Sequence, residues 1–275
     1  MTRHIGGANR RTRHRERLYA RLREHPMIGV EQDEVDTHFA EMPTRYWERV
    51  TKSELIWGLE TVHAYFHKLS EPSSAGAPAV VADSRHYPER GFSKVMVCAR
   101  DRMGLLAKIA AAFSALRINI LRADVYTRAD NLAVDLFEVC ELDHSNGHAA
   151  RRLNELVFLL EGALSEPPRF VSIWASQFHK VLARTAAPPP HVEFDNDASA
   201  EHTIVRIAAA DRLGLLHDLL QSLTDCGVNI DQAMVETTDQ LASDLFYVTD
   251  LKRQKILDPP RLAAIRKSLV EAIML

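Results

Sequence analysis

Two short segments of the chain carry residues suited to binding a small charged molecule. Asp101-Arg-Met-Gly-Leu-Leu106 and Asp211-Arg-Leu-Gly-Leu-Leu216 each join a predicted strand to a predicted helix. The N–H groups and positive dipole end of such a helix suit a carboxylate, and the aspartate suits an ammonium group. Gly104 and Gly214 let the backbone approach a ligand closely, because no Cβ stands in the way. The segments therefore suit a ligand that carries both charges.

An asparagine follows each segment at the start of the next predicted strand, and its amide both donates and accepts hydrogen bonds. A purely structural interpretation stays open, in which the aspartates only cap helices and the asparagines only end loops. The candidate ligand-binding residues are Asp101, Arg102, Met103, Gly104, Leu105, Asn119 and Ile120 in the first half, and Asp211, Arg212, Leu213, Gly214, Leu215, Asn229 and Ile230 in the second.

These segments belong to an internal repeat. Val95–Leu106 aligns with Val205–Leu216, and Asp135-Leu-Phe137 aligns with Asp244-Leu-Phe246. Hydrophobic spacing in each copy predicts a strand, a helix, a strand pair and a second helix. This order indicates an α+β fold of two tandem ferredoxin-like (βαββαβ) domains with one strand still to be placed.

The missing strand is expected to come first in each copy. Val80–Ala82 and Val192–Phe194 precede the two copies at nearly the same distance and are apolar enough to pair with a sheet. Phe170–Trp174 is the rival candidate for the first copy.

Composition shifts divide the chain further. Residues 1–24 hold eight arginines against two glutamates, which indicates a basic, disordered arm or a solvated helix face. The pattern of residues 25–70 predicts helices. This segment is too small to fold alone, so we expect it to pack on another part of the chain. The remaining segments are a linker at 71–78, a first repeat domain at 79–184, a linker at 185–190 and a second repeat domain at 191–275.

The overall composition is that of an ordinary globular protein: 275 residues, 46% hydrophobic, 26% charged, with a net charge of −3. Three cysteines without a CxxC spacing indicate reduced thiols, and Cys98 and Cys140 are expected to lie close together on neighbouring strands. The chain has no apolar run of the ~20 residues needed for a membrane span and no secretory signal, which favours a cytoplasmic protein.

No nucleophile motif, phosphate-binding loop or dinucleotide fingerprint is present, so we expect a chain without its own catalysis, cofactor or metal. His217-Asp218 matches a metal-hydrolase dipeptide but lacks companion ligands, and we interpret it as coincidence. The third predicted strands hold an acid and lack the basic-glycine start of RNA-recognition modules, so the sheets are not expected to bind nucleic acid.

The duplicated Asp-Arg-x-Gly-Leu-Leu segments, each followed by Asn-Ile, resemble the ACT domain, a small regulatory module that binds amino acids. His38–Tyr46, the helix after it and Phe194–Ser199 are similar to the C-terminal part of the bacterial PII uridylyltransferase family, in which tandem ACT modules read glutamine. The resemblance implies a role in nitrogen regulation, a nucleotidyltransferase or PII-type signalling protein as partner, and homodimers formed through ACT domains.

The resemblance also has departures. The family usually has proline after Asp-Arg, whereas this chain has Met103 and Leu213, which loosens the turn and puts ligand affinity in doubt. Three alternatives therefore stay open beside an amino-acid sensor. In the first, the chain is a truncated, split or degenerate uridylyltransferase. In the second, it is a non-binding ACT scaffold for other proteins. In the third, its arginine-rich arm binds nucleic acid.

Overall fold

The computed structural model describes residues 5–24, 29–71, 78–141, 149–164, 189–238 and 241–275. Within them, the first repeat contributes β1 (Val80–Tyr87), β2 (Phe92–Arg100), β3 (Ile118–Asp124) and β4 (Leu132–Glu141), and the second contributes β5 (His191–Asp195), β6 (Thr203–Ala210), β7 (Val228–Thr238) and β8 (Leu241–Asp250). These strands form one sheet in the order β1-β2-β4-β3-β7-β8-β6-β5, with every neighbouring pair antiparallel.

Helices cover the sheet. The repeats supply α5 (Leu105–Ala115), α6 (Ala149–Leu164), α7 (Leu215–Asp225) and α8 (Pro259–Met274), and the residues before them form α1 (Ile5–Glu24), α2 (Gln32–Glu41), α3 (Tyr46–Arg49) and α4 (Lys52–Ser70). None of the described helices combines the length and apolar character that crossing a bilayer requires. The predicted α+β class with two ferredoxin-like units is confirmed.

The edge strand of each unit comes first in the chain, as predicted. Val80 pairs with Ala99 at the start of β1, which continues five residues beyond the predicted Val80–Ala82. Val192 pairs with Ile207 in β5. Each unit thereby completes its four-stranded ladder. The rival strand Phe170–Trp174 lies outside the described residues, as do most of the predicted linkers at 71–78 and 185–190.

The central part of β2, Val95–Ala99, is buried on both faces, which explains why this part of the strand is apolar. Val95, Val97 and Ala99 join the core beneath α5 and α6, whereas Met96 and Cys98 join a second core beneath α2 and α4. Successive side chains of a strand alternate between faces, so a strand covered on both sides has no polar positions to offer.

The helices that precede the repeats dock on the first repeat, which confirms the prediction that residues 25–70 pack on another part of the chain. Trp57 is buried and donates its indole N–H to Asp83 Oδ2 at 2.7 Å. Lys94 of β2 pairs with Glu54 of α4 at 2.8 Å.

Of the two interpretations left open for residues 1–24, a disordered arm or a helix face, α1 corresponds to the helix. It is helical over Ile5–Glu24, with Leu18 and Leu22 buried in the second core. Arg15 lies over the Trp47 ring, 5.3 Å from its centroid, and donates to the Phe39 carbonyl. A leucine pair at helical spacing therefore fixes a segment whose arginine content suggested an unstructured arm.

A capping box at the start of α4 gives a direct stability test. Thr51 Oγ1 accepts the Glu54 N–H, and Glu54 in turn accepts the Thr51 N–H at 2.9 Å. We expect Thr51→Ala to cost about 1 kcal/mol, which lowers the melting temperature by about 2–4 °C. Lys52→Ala, at the neighbouring exposed position, is the control in differential scanning fluorimetry. Equal melting temperatures for the two variants would contradict this role of the cap.

The two repeats meet along a seam, which we define as the pairing of β3 with β7 and the packing of α5 against α7. Ala123 pairs with Val235 at the centre of the strand contact. On the helix side, His217 Nδ1 lies 3.1 Å from the Ala107 carbonyl oxygen, and these two positions are equivalent in the repeat. The seam is therefore an approximate two-fold arrangement within one chain.

The helix α3 and the residue before it span this seam on the opposite face of the sheet. Arg49 pairs with Asp124 of β3 at 2.9 Å. Arg45 donates to Gln232 of β7 at 3.0 Å and lies over the Tyr247 ring of β8, 4.0 Å from its centroid. The helical segment therefore contacts both repeats.

The predicted contact between Cys98 and Cys140 is wrong. The register of β2 against β4 places Cys98 opposite Val134, while Cys140 lies at the far end of β4, opposite Asn119 of β3. Both cysteines are unpaired. Adjacent strands were predicted correctly, but contact depends on the register within them.

Candidate functional site

The two strand-to-helix loops have the same local geometry. Gly104 and Gly214 have φ values of 75° and 83°, in the left-handed region that favours glycine. A Cβ on Gly104 would lie 3.4 Å from Cγ2 of Thr224, which belongs to the other repeat. The close approach predicted for this glycine is thus an approach across the seam.

The two loops line two separate cavities at the seam, and each cavity combines both repeats. The Asp211 cavity, of about 350 Å³, joins the second loop to Asn119 and Ile120 of the first repeat. The Asp101 cavity, of about 440 Å³, joins the first loop to Asn229 and Ile230 of the second repeat. Both volumes include space that is open to solvent, so each cavity is a cleft at the seam and not an enclosed chamber.

The structure therefore combines the loop of each repeat with the Asn-Ile pair of the other repeat. Because β3 and β7 run antiparallel, the beginning of each strand lies beside the loop of the other repeat. Thirteen of the candidates line the cavities, and Leu213 lines neither.

The arginines of the loops line the cavities and also make hydrogen bonds to backbone carbonyls of their own repeat. Arg102 donates to the Leu164 carbonyl at 2.9 Å, and Arg212 donates to the Ala272 carbonyl at 2.8 Å. Both carbonyls belong to the last turn of the second helix of the same repeat, where carbonyl groups lack helical partners. The guanidinium groups thus anchor the loops to the helices.

Two buried aspartates complete the cavities, and our sequence reasoning missed them as site residues. Asp135 lines the Asp101 cavity and Asp244 the Asp211 cavity, with exposed fractions of 1% and 4%. The signal was available, because an acid two positions before the buried Phe137 or Phe246 must face the same side of its strand as that phenylalanine. Thr127 and Thr237 line the same two cavities at equivalent positions.

Burial dominates the electrostatics of these acids. It raises the pKa of Asp244 to about 8, and the nearby Asp211 carboxylate raises it in the same direction. Burial likewise raises the pKa of Asp135 well above its usual range, with Asp101 contributing again. The pKa of Asp101 is also raised by burial, against the hydrogen bond from Thr127 Oγ1 at 3.2 Å. Each cavity therefore holds two interacting carboxyl groups.

The two cavities differ in their asparagines. Asn119 donates across the seam to Asp211 Oδ2 at 3.3 Å. Asn229 instead donates within its own repeat to Asp231 Oδ1 at 2.9 Å, and Thr249 donates to the other oxygen of Asp231 at 2.7 Å. The equivalents of Asp231 and Thr249 in the first repeat are Leu121 and Cys140, which explains why only Asn119 reaches the opposite loop.

The His217-Asp218 dipeptide has structural contacts. Asp218 pairs with Arg212 at 2.6 Å, and His217 contacts the first repeat at the seam as described above. Among the described residues, no group of three or more histidine, cysteine, aspartate or glutamate side chains is arranged to hold a metal ion.

Comparison with known families agrees with this architecture. Residues 191–275 match the family described as "ACR9-like, ACT-like domain", and residues 93–156 match the ACT domain family. The chain carries two tandem ACT domains.

The tandem ACT chain is similar to bacterial enzymes named bifunctional uridylyltransferase/uridylyl-removing enzyme. The Gluconobacter oxydans protein is 34% identical over 197 residues, which are 70% of this chain and 21% of that protein. The Rhodospirillum rubrum protein is 33% identical over 273 residues, 94% of this chain and 26% of that protein. The Rhodopseudomonas palustris protein is 31% identical, with 94% and 27% covered. The chain thus spans between a fifth and about a quarter of these relatives, and it resembles their regulatory region.

Proposed function

We propose that the seam cavities are regulatory sites for a free α-amino acid, with L-glutamine as the first candidate. This proposal rests on the way in which each cavity combines residues of both ACT domains. Each cavity takes a loop from one ACT domain and an Asn-Ile pair from the other, so a bound molecule contacts both domains at once. The resemblance to ACT domains indicates amino acids as the ligand class, and the resemblance to the uridylyltransferase family indicates glutamine.

The Asp211 cavity offers a partner for each end of an amino acid. The ligand carboxylate faces the N-terminus of α7, where backbone N–H groups and the helix dipole favour an anion. The ammonium group faces the Asp211 carboxylate. The amide of Asn119 then binds whichever polar group of the ligand lies nearest to β3.

Regulation follows from the position of the sites rather than from any chemistry within them. A ligand that binds one seam arrangement better than another shifts the population toward it by its difference in binding free energy. We propose that the regulated reaction is uridylyl transfer or removal, the two activities named in the matched relatives. The partner would then be a nucleotidyltransferase or a PII-type signalling protein.

A thermal-shift screen of the purified chain against the twenty common amino acids tests the proposal. A ligand at a hundred times its dissociation constant stabilises by about 2.7 kcal/mol, so we expect L-glutamine to raise the melting temperature by about 5–10 °C. D-glutamine is the matched control, because it has the same composition with the α-substituents reversed. A chain that responds to none of the amino acids would be a non-binding scaffold, the alternative that Met103 and Leu213 favour.

A further inference from the structure

Asp244 lies in the Asp211 cavity with an unsatisfied oxygen. Its carboxyl group accepts the backbone N–H of Glu236. Oδ1 has no hydrogen-bond partner within the part of the chain that the structure describes. Buried polar atoms are nearly always paired, so an unpaired carboxyl oxygen that lines a cavity indicates a missing donor. The equivalent Asp135 is different, because its Oδ1 accepts the Tyr126 N–H at 3.2 Å.

The groups around Asp244 define what kind of donor fits. The loop before α7 contributes Asp211 and Arg212. A terminal nitrogen of the Arg212 guanidinium contacts Asp218 and a helix carbonyl, whereas its Nε has no hydrogen-bond partner among the described residues. Strand β4 contributes the Cys140 thiol. Burial is the main cause that raises the pKa of this thiol, and the nearby Asp211 carboxylate raises it further.

The other elements around Asp244 bring no ionisable side chain into the cavity among the described residues. Asn119 of β3, Ser114 of α5 and Thr237 of β7 are neutral lining residues. On the neighbouring strands, Asp244 pairs with Ile207 of β6 and Val235 of β7. The side chain of Glu236 itself lies on the exposed side of β7. Two acids therefore share a cavity with Arg212, the one cation that lines it among the described residues, and the terminal nitrogens of Arg212 contact groups other than these acids.

We propose that Asp244 is a second counter-charge for the ligand, so that a protonated amine binds between Asp211 and Asp244 while Asp244 releases its proton to solvent. This rests on the proposed function and adds a specificity-determining residue to it. Two neighbouring carboxylates disfavour each other's ionisation, and a cation between them removes that penalty. Before the ligand binds, the proton on Asp244 removes this penalty, and the ligand amine removes it after binding.

The proposal predicts binding that is linked to proton release. Below the pKa of Asp244, the affinity for an ammonium group is expected to rise about tenfold per pH unit. Calorimetric titration with L-glutamine and with glycine, which share the α-ammonium group, measures this directly. In buffers of different ionisation enthalpy at neutral pH, we expect close to one proton released for each ligand bound in the Asp211 cavity.

Asp244→Asn separates an ionised from a neutral role, because asparagine matches the protonated acid in shape but cannot ionise. We expect this variant to bind both amino acids about 100-fold more weakly and to release no proton, whereas Asp225→Asn, at an exposed position of α7, behaves as wild type. Wild-type binding without proton release, or full affinity in Asp244→Asn, would overturn the inference and leave the proposed function standing. If neither amino acid binds the wild-type chain, the function proposed for these ligands fails and the inference fails with it.

Discussion

Asp211→Ala is expected to weaken binding of L-glutamine by more than about 100-fold. The Asp211 carboxylate is placed to receive the ligand ammonium, and it also accepts the Asn119 amide at 3.3 Å across the seam. Alanine removes the charge and leaves that amide without this acceptor. Losing one partner of a desolvated charged pair costs about 3–5 kcal/mol, and every 1.4 kcal/mol is about tenfold in affinity. Isothermal titration calorimetry measures the loss.

Two comparisons make this result specific. Glu271→Ala removes an exposed carboxylate from α8 and should leave binding unchanged. Asp101→Ala removes the equivalent acid from the other cavity, where Asn229 is already held by Asp231, so we expect a smaller loss there. The double variant Asp101→Ala/Asp211→Ala should show no measurable binding. Binding that survives the double change would remove the loops from the site.

Asp244→Asn is expected to stabilise the unliganded protein at neutral pH, even though it weakens binding. Folding raises the pKa of Asp244 from 3.8 to about 8, so the folded state holds a proton that the unfolded state has lost between these values. Stability due to this group is therefore full below about pH 4 and falls as the pH rises toward 8. At 1.36 kcal/mol per pKa unit, the cost reaches about 4 kcal/mol at pH 7.

The measurement is the melting temperature of the two proteins across that pH range. We expect Asp244→Asn to exceed wild type by about 10 °C at neutral pH, with the difference shrinking toward pH 4. Asp225→Asn, which removes an exposed acid, should follow wild type throughout. A constant difference between Asp244→Asn and wild type at all pH values would show that Asp244 ionises normally. This experiment needs no ligand, so it tests the acid independently of the proposed function.

The fold was predictable because the repeat supplied every element twice. An ambiguous segment in one copy could be interpreted by comparison with its counterpart in the other copy. This comparison identified Val80–Ala82 and Val192–Phe194 as edge strands. The sequence left α1 open between a disordered arm and a helix face, because eight arginines compete with the apolar spacing of Leu18 and Leu22. Local charge indicates exposure, but tertiary contacts with α2 and α3 decide whether the helix is held.

Most residues that line the two cavities at the loops could be proposed from the sequence, but their arrangement could not. Nothing in the sequence states that β3 pairs with β7, and this pairing alone places Asn119 beside Asp211 rather than beside Asp101. The buried acids escaped notice for a different reason. Asp135 and Asp244 stood in apolar strands, where an acid was taken as evidence against nucleic-acid binding instead of as evidence for a cavity.

The contacts of α3 determine what happens when the angle between the ACT domains changes. Arg49 is paired with the first domain and Arg45 with the second, and only a four-residue helix and its preceding residue connect them. A rotation about the pairing of β3 with β7 would move the partners of these two arginines relative to one another, so α3 ties the two ACT domains together at their present angle. Because α4 is joined to the first domain through Trp57 and Asp83, we expect such a rotation to change the Arg45 contacts more than those of Trp57.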